Sequence, residues 1–127
     1  MSKFINELEV RYTPGNDNQW TLISPLFYHS VTTKSVITVP CGFVTDFASV
    51  PRVPFIFDML GDIAQAAAAL HDWLYASGTF PRKQADRIFR EAVLVSGVPV
   101  WKAWLMYAAV RLFGNGYYLP GVYSSVD

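Results

Sequence analysis

The sequence predicts an α+β fold, with a small antiparallel sheet from the N-terminal half packed against three helices from the C-terminal half. Over residues 1–50, short β-branched and aromatic runs alternate with proline and glycine turns, which is typical of strands. Over residues 60–114, three longer segments have high helix propensity or helical spacing. Strands that precede helices favour α+β over an alternating α/β fold. At 127 residues the chain is predicted to be one domain, with residues 115–127 as a loop-like tail.

The predicted strands lie between turn signals. A turn over residues 13–18 separates the first two strands, and Ser24-Pro25 ends the second. A short strand at residues 43–45, which follows the bend permitted by Gly42, would place Asp46 at its end. The other strands are predicted at residues 8–12, 20–23, 26–29 and 35–39.

The predicted helices differ in their apolar pattern. Residues 61–76 are rich in alanine and leucine on nearly every face, which indicates a buried central helix. The second helix begins near Pro81, ends near residues 96–97 and is amphipathic. The third begins at Pro99 and ends at Gly114. Its broad apolar face is interpreted as core, with enough aromatic excess for a protein interface, and comprises Trp101, Trp104, Leu105, Ala108 and Leu112.

Composition restricts the classes of partner. Ten basic and ten acidic residues give no net charge, so a nucleic-acid partner is not expected. A single cysteine, Cys41, excludes an intrachain disulfide and fits a reducing compartment. The first residues lack the continuous apolar core of a secretory signal. Residues 98–113 are interrupted by Lys102 and Arg111 and are shorter than the roughly 20 residues that a spanning helix requires.

A cluster of polar residues is predicted within this apolar sequence. His71 and Asp72 lie in the buried helix, where an unpaired carboxylate would cost several kcal/mol or shift its pKa. Their nearest candidate partners are Asp46, Arg52 and Asp86. Tyr75, Thr45 and Ser49 complete the predicted cluster, Tyr75 because it lies one helical turn after His71.

Two interpretations of this cluster stay open. In the first it is a metal-free hydrogen-bond network, in which Asp46 pairs with Arg52, Ser49 caps a loop, and Asp86 pairs with Arg82 or Arg90 four residues away on its own helix. In the second, Asp46, His71 and Asp86 hold a divalent metal such as zinc or manganese, and Asp72 acts as a base or orients a ligand. The sequence lacks a second histidine near the helix, because His29 lies in the predicted sheet.

Four segments together resemble one known family. They are V-P-C-G-F-V-T-D-F-A-S-V-P-R at 39–52, A-A-L-H-D-W-L-Y at 68–75, A-D-R-I-F at 85–89 and M-Y-A-A-V-R-L-F-G at 106–114. This pattern resembles the domain of unknown function 1353 family, which is common in tailed phages and prophages. The resemblance implies a phage accessory protein with one shared site but assigns no chemistry. The residues that carry over are Thr45, Asp46, Ser49, Pro51, Arg52, His71, Asp72, Tyr75 and Asp86.

The expected function is therefore a phage-encoded binding module, associated with the virion or directed at the host, whose His/Asp/Arg cluster is structural. Its expected partner is a protein, either a phage or host protein or a second copy of the chain. The alternative is a metal-dependent hydrolase of a phosphate ester or a cell-wall bond, with His71 and Asp72 as catalytic residues. Synthesis in the host cytoplasm is expected in both cases, with the virion as the further location.

Overall fold

The computed structural model describes residues 1–15, 19–47 and 63–119, and for residues 63 and 64 only the backbone. It confirms the α+β class: short antiparallel strands fill the N-terminal half and three helices the C-terminal half. The six described strands are β1 (Lys3–Phe4), β2 (Val10–Thr13), β3 (Gln19–Leu22), β4 (Leu26–Ser30), β5 (Ser35–Val39) and β6 (Val44–Thr45).

The strands form two three-stranded antiparallel sheets, in the orders β1-β4-β5 and β2-β3-β6, instead of the single sheet that the sequence predicts. Pro25, which has no N–H to donate to a ladder, lies between β3 and β4, and these consecutive strands enter different sheets. Gly42 turns the chain back with φ +89°, and its N–H donates to the Leu22 carbonyl at 2.7 Å. This turn brings β6 beside β3.

The three helices are α1 (Ile63–Ser77), α2 (Arg82–Val95) and α3 (Val100–Phe113), followed by a 3-10 turn at Asn115–Tyr117. Pro81 and Pro99 immediately precede α2 and α3, and Gly114 follows α3, as predicted. Helix α1 packs on α2, and α2 packs on α3. Helix α1 also contacts β5 and β6, so it lies between the helices and both sheets.

The core confirms the central position of α1. Its side chains from Ala67 to Leu70, together with Leu74, are fully buried. The first sheet contributes alternate positions of β4, where Leu26 and Tyr28 are buried. The Tyr28 hydroxyl donates to Glu91 Oε1 at 2.7 Å, which joins this sheet to α2.

Helix α3 departs from the prediction, because its broad aromatic face is exposed. The side chains that α3 buries are small or flexible, namely Ala103, Met106, Ala109 and Val110. Small residues let helices approach closely, which explains why this face and not the bulkier one packs against α2. We refer to the exposed surface as the α3 face, which comprises Trp101, Trp104, Leu105, Leu112 and Phe113. Across the described ranges, no helix is both long and apolar enough to cross a membrane.

Candidate functional site

The centre of the site is Asp86, a carboxylate on α2 with no exposed surface. His71 and Tyr75 lie one turn apart on α1 and both face it. The His71 Nε2 atom is 2.7 Å from Asp86 Oδ1, and the Tyr75 hydroxyl donates to the same oxygen at 2.5 Å. The His71 side chain is fully buried and Tyr75 is 1% exposed. The sequence-based grouping of these three residues is therefore observed in the fold.

Two arginines extend this arrangement to α3. Arg111 donates from Nη1 to the second oxygen of Asp86, Oδ2, at 2.9 Å. Arg82 donates from Nε to the Tyr75 hydroxyl at 3.1 Å and from Nη2 to two main-chain carbonyls, Val110 and Arg111, at 2.8 Å each. Carbonyls at the end of a helix have few main-chain donors, and although Val110 accepts the Gly114 N–H at 2.9 Å, Arg82 adds a donor to this carbonyl and to that of Arg111. We call His71, Tyr75, Arg82, Asp86 and Arg111 the Asp86 network.

The sequence predicts that Asp86 pairs with Arg82 or Arg90 on its own helix. The structure instead shows Asp86 in contact with residues of α1 and α3. Arg82 bonds to Tyr75 and to α3, and the guanidinium of Arg90 lies over the Trp104 ring, 4.1 Å from its centroid. Spacing of four residues predicts pairing only on an exposed helix surface, whereas Asp86 is inside the protein. Burial selects partners from the neighbouring helices instead.

The protonation state of Tyr75 follows from its surroundings. Burial raises the pKa of its hydroxyl above the ordinary value of 10.0, and the adjacent Asp86 carboxylate raises it further. Tyr75 therefore stays protonated at physiological pH. It acts as a hydrogen-bond donor to Asp86 and as an acceptor for Arg82, which suits a fixed structural position.

A second polar group lies beside the network, at the end of β6. Asp72 is 8% exposed and accepts a hydrogen bond from the Thr45 hydroxyl. The same Thr45 oxygen accepts the main-chain N–H of Phe47 at 3.0 Å, which fixes the chain as it leaves the strand. Phe47 has φ +60°, a strained conformation for a non-glycine residue. These contacts hold β6 against α1.

Thr45, Asp72 and Tyr75 also line a cleft of about 270 Å³ between β6, α1 and the segment after α3. Asp46 is exposed in this cleft, although the sequence predicts a buried network that includes it. Its described lining residues are Gln19, Phe43, Val44, Thr45, Asp46, Asp72, Tyr75, Ala76, Tyr117 and Leu119.

The remaining predicted site residues, Ser49, Pro51 and Arg52, lie outside the described residues. The predicted pairing of Asp46 with Arg52 therefore also lies outside them. Arg111 is not predicted as a member of the site, and Arg82 is predicted only as a possible intrahelical partner of Asp86. The sequence does contain an indication for Arg111. It is one of two charged residues in the apolar sequence of α3, and a cation on a packed helix needs a partner.

A metal site requires several ligand side chains grouped around one point. Within residues 1–15, 19–47 and 63–119, no three His, Cys, Asp or Glu side chains are grouped to hold a metal ion. His71 and Asp86 bond directly to each other, and Asp46 is exposed in the cleft. Zinc or manganese at Asp46, His71 and Asp86 stays a prediction for direct metal analysis.

Comparisons with known proteins give the family. The family model described as "Protein of unknown function (DUF1353)" matches residues 20–110, which include every described residue of the predicted site. The Uncharacterized protein y4iH of Sinorhizobium fredii (strain NBRC 101917 / NGR234) is 37% identical over 81 residues, covering 61% of this chain and 34% of that protein. The chain thus spans about a third of that relative's length. No solved structure matches this chain significantly. Since the family model covers well over half of its residues, the chain belongs to the DUF1353 family.

Proposed function

We propose that this protein is a non-catalytic binding module of phage or prophage origin, in which the Asp86 network is a structural lock and the α3 face contacts a protein partner. The observation that carries the proposal is the complete burial of His71 and Asp86, whose polar atoms bond to each other. A general base must come within hydrogen-bond reach of a substrate or a water molecule. Two fully buried partners on adjacent helices suit a structural role better.

The lock joins all three helices through polar contacts in addition to their buried apolar side chains. One carboxylate receives bonds from α1 and α3 while it lies on α2, and Arg82 adds contacts to the end of α3. Removing a partner from a buried ion pair costs more than the pair itself contributes, because the remaining charge is left without compensation. The network therefore disfavours other packings of the three helices.

The α3 face supports the binding role. Its exposed fractions include 61% for Trp101, 73% for Leu112 and 65% for Phe113. Several large exposed apolar side chains on one helix are typical of interaction sites in proteins. The Lys102 ammonium lies over the Trp101 ring, 5.3 Å from its centroid. We expect a protein partner with an apolar contact surface, in the virion or in the host.

The test compares two charge insertions at exposed apolar positions. Leu112→Glu places a carboxylate on the α3 face, and Val36→Glu places one on β5, where Val36 is 49% exposed. A partner captured from phage particles or host extract is purified and titrated against each variant. We expect Leu112→Glu to weaken binding at least about tenfold, roughly 1.4 kcal/mol, and Val36→Glu to leave it unchanged.

Three results would overturn this assignment. Equal binding by Leu112→Glu and the unmodified chain would remove the α3 face from the interface. Concentration-dependent dimers that Leu112→Glu dissociates would make a second copy the occupant. Association with anionic vesicles that Leu112→Glu abolishes would make it a lipid surface.

A general-base hydrolase is the second candidate, favoured by one observation. Asp86 Oδ1 lies 2.7 Å from Nε2 of His71, and a carboxylate in contact with one ring nitrogen orients a histidine that acts as a base. The next residue, Asp72, lines the cleft. Such a site would act on a phosphate ester or a cell-wall bond.

Metal analysis and turnover assays separate the two candidates. The purified protein is assayed against p-nitrophenyl phosphate and isolated cell walls, with and without added zinc or manganese. The binding module predicts no turnover and no stoichiometric metal. Metal or turnover that is lost in His71→Ala, in a variant that remains folded by circular dichroism, would establish the hydrolase in its place.

A further inference from the structure

A groove of about 460 Å³ lies between the N-terminal residues, the turn that joins β4 to β5, and α2. We call it the α2 groove, and its described lining residues are Met1, Ser2, Val31, Thr32, Arg87, Arg90, Glu91, Leu94 and Val95. We infer that the α2 groove binds a peptide segment of the protein partner in which an aspartate or glutamate adjoins an apolar side chain. This inference rests on the proposed function, because Arg90 joins the groove to Trp104 of the α3 face, and it names the chemistry of the partner.

Two arginines of the groove lack the acidic partners that their helix offers. Asp86 lies four residues before Arg90, and Glu91 lies four residues after Arg87, which is the spacing at which opposite charges pair on a helix. Asp86 is buried and faces α1 and α3 instead. Within residues 1–15, 19–47 and 63–119, neither Arg87 nor Arg90 forms an ion pair. The two guanidiniums are therefore available to an acid from another molecule.

Glu91 lies in the groove, but its oxygens bond to the first sheet and the turn after β4. Oε1 accepts the Tyr28 hydroxyl at 2.7 Å, and Oε2 accepts the main-chain N–H of Thr32 at 3.1 Å. With Arg87, Arg90 and Glu91, the side chains of the groove carry one net positive charge. The single negative charge of a carboxylate matches it, whereas a phosphate with about two negative charges is repelled more strongly by Glu91.

Aromatic rings of α3 hold Arg90 in place. Its Cζ atom is 4.1 Å from the centroid of the Trp104 ring and 5.2 Å from that of Tyr107. Contact with a ring face attracts the cation but leaves its N–H donors to hydrogen-bond an acceptor. A guanidinium that is already fixed loses less conformational freedom when it binds a carboxylate through two parallel hydrogen bonds.

The apolar part of the groove explains why the acid should adjoin an apolar side chain. Val31 is 51% exposed and Val95 is 42% exposed, and the partly buried Leu94 packs against the core between α2 and its neighbours. The volume is within the range of roughly 300–1,000 Å³ that is typical of ligand sites. A nucleic acid requires several cations for its phosphates, and the described lining supplies two. A short acidic and apolar peptide segment fits both halves of the groove.

The test selects peptides from a library of random linear peptides displayed on ribosomes. Peptides are kept when they bind the full chain and discarded when they bind a chain with both Arg87→Gln and Arg90→Gln. We expect the retained sequences to contain an aspartate or glutamate beside an apolar residue. The most enriched peptide is then synthesised and titrated by fluorescence anisotropy. Each single arginine variant, and also Val95→Gln, should weaken its binding at least about tenfold.

Arg11→Gln, at an exposed arginine of β2, is the matched control and should bind the peptide normally. Arg87 is exposed, so Arg87→Gln tests the groove even if Arg90→Gln disturbs the packing of Trp104. Leu112→Glu should leave peptide binding unchanged. Failure of the groove is thereby distinguished from failure of the α3 face, which the titration of the captured partner measures.

Four results would overturn the inference. They are a selection that retains no peptide, retained peptides without an acidic residue, binding that Val95→Gln leaves unchanged, and tighter binding when phosphoserine replaces the acidic residue. The last result would identify a phosphopeptide site. If no peptide is retained and vesicles of phosphatidylcholine with phosphatidylserine bind the unmodified chain but not Arg87→Gln, the ligand would be a lipid surface.

Discussion

Arg111 and Asp86 lie 25 residues apart in the chain, on different helices, and their Nη1 and Oδ2 atoms are 2.9 Å apart in the fold. The other oxygen of Asp86 contacts His71 and Tyr75 of α1. One carboxylate therefore has partners on both neighbouring helices. Because this one carboxylate connects all three helices, we expect small chemical changes in the Asp86 network to have a large effect on the free energy of unfolding.

Asp86→Asn should destabilise the protein by roughly 2–4 kcal/mol. Loss of one partner from a completely buried pair costs about 3–5 kcal/mol, and the Arg111 side chain is 23% exposed, which reduces the penalty. Urea denaturation measures the change against a total stability of about 5–15 kcal/mol. Glu9→Gln, which neutralises an exposed acid, is the matched control and should change stability by less than about 0.5 kcal/mol. Equal stability of the two variants would contradict a structural role for Asp86.

Tyr75→Phe should cost about 1–3 kcal/mol at neutral pH, because it removes a donor to Asp86 and an acceptor for Arg82 from a buried site. Tyr117→Phe, at a half-exposed tyrosine, is the control. The pKa of Tyr75 is raised in the folded protein, so its contribution is fully present below the ordinary pKa of about 10 and falls as the pH rises. The stability difference between the unmodified chain and Tyr75→Phe should therefore decrease above that pH. A difference that grows with pH would contradict a neutral, buried hydroxyl.

Glu91 gives a prediction at acid pH. Partial burial raises the pKa of this carboxyl, but the hydrogen bonds that it accepts from Thr32 and Tyr28 outweigh burial and lower the pKa below its ordinary 4.5. A lowered folded-state pKa means that the contribution is present above 4.5 and is lost as the pH falls through the folded value. Glu91→Gln should be less stable than the unmodified chain at neutral pH and nearly equal to it well below pH 4.5.

Chemical denaturation across a pH series measures this effect. Val36→Gln, at an exposed position of β5, changes no titratable group, so its stability difference from the unmodified chain should stay constant with pH. If the gap between Glu91→Gln and the unmodified chain stayed constant from neutral to acid pH, the carboxylate would not be the group that joins β4 to α2.

Much of this fold could be predicted because local signals were strong. Pro81 and Pro99 set the starts of α2 and α3 through restricted backbone geometry, and Gly114 marked the end of α3. The grouping of His71 with Asp86 followed from the cost of burying polar groups in an apolar helix. These inferences depend on neighbouring residues and on burial, both of which a sequence displays.

What could not be predicted depends on long-range packing. The contact between Arg111 and Asp86 requires knowledge of which face of α3 meets α2, and α3 is apolar on all sides. Its large aromatic face was interpreted as core, yet Ala103 and Ala109 are buried and Trp104 is 52% exposed. Close approach of helices favours small residues, and this preference outweighed the larger apolar area of tryptophan.

Gly114→Ala tests how closely the end of α3 approaches the Asp86 network. A Cβ atom at Gly114 would lie 2.5 Å from the Val110 carbonyl oxygen and 3.0 Å from the Tyr75 hydroxyl. Its φ of −82° suits any residue, so the requirement for glycine here is space and not backbone conformation. We expect a loss of about 1–3 kcal/mol from overpacking, together with displacement of Tyr75 from Asp86.

Gly116→Ala provides a matched control two residues away, because a Cβ atom there meets nothing within 4 Å. Thermal melts should separate the two variants. Combining Gly114→Ala with Tyr75→Phe should cost less than the sum of the single substitutions, because both act on the contact of Tyr75 with Asp86. Additive costs would mean that Gly114 affects only the end of α3, and a neutral Gly114→Ala would show that α3 can move away from Tyr75 without loss.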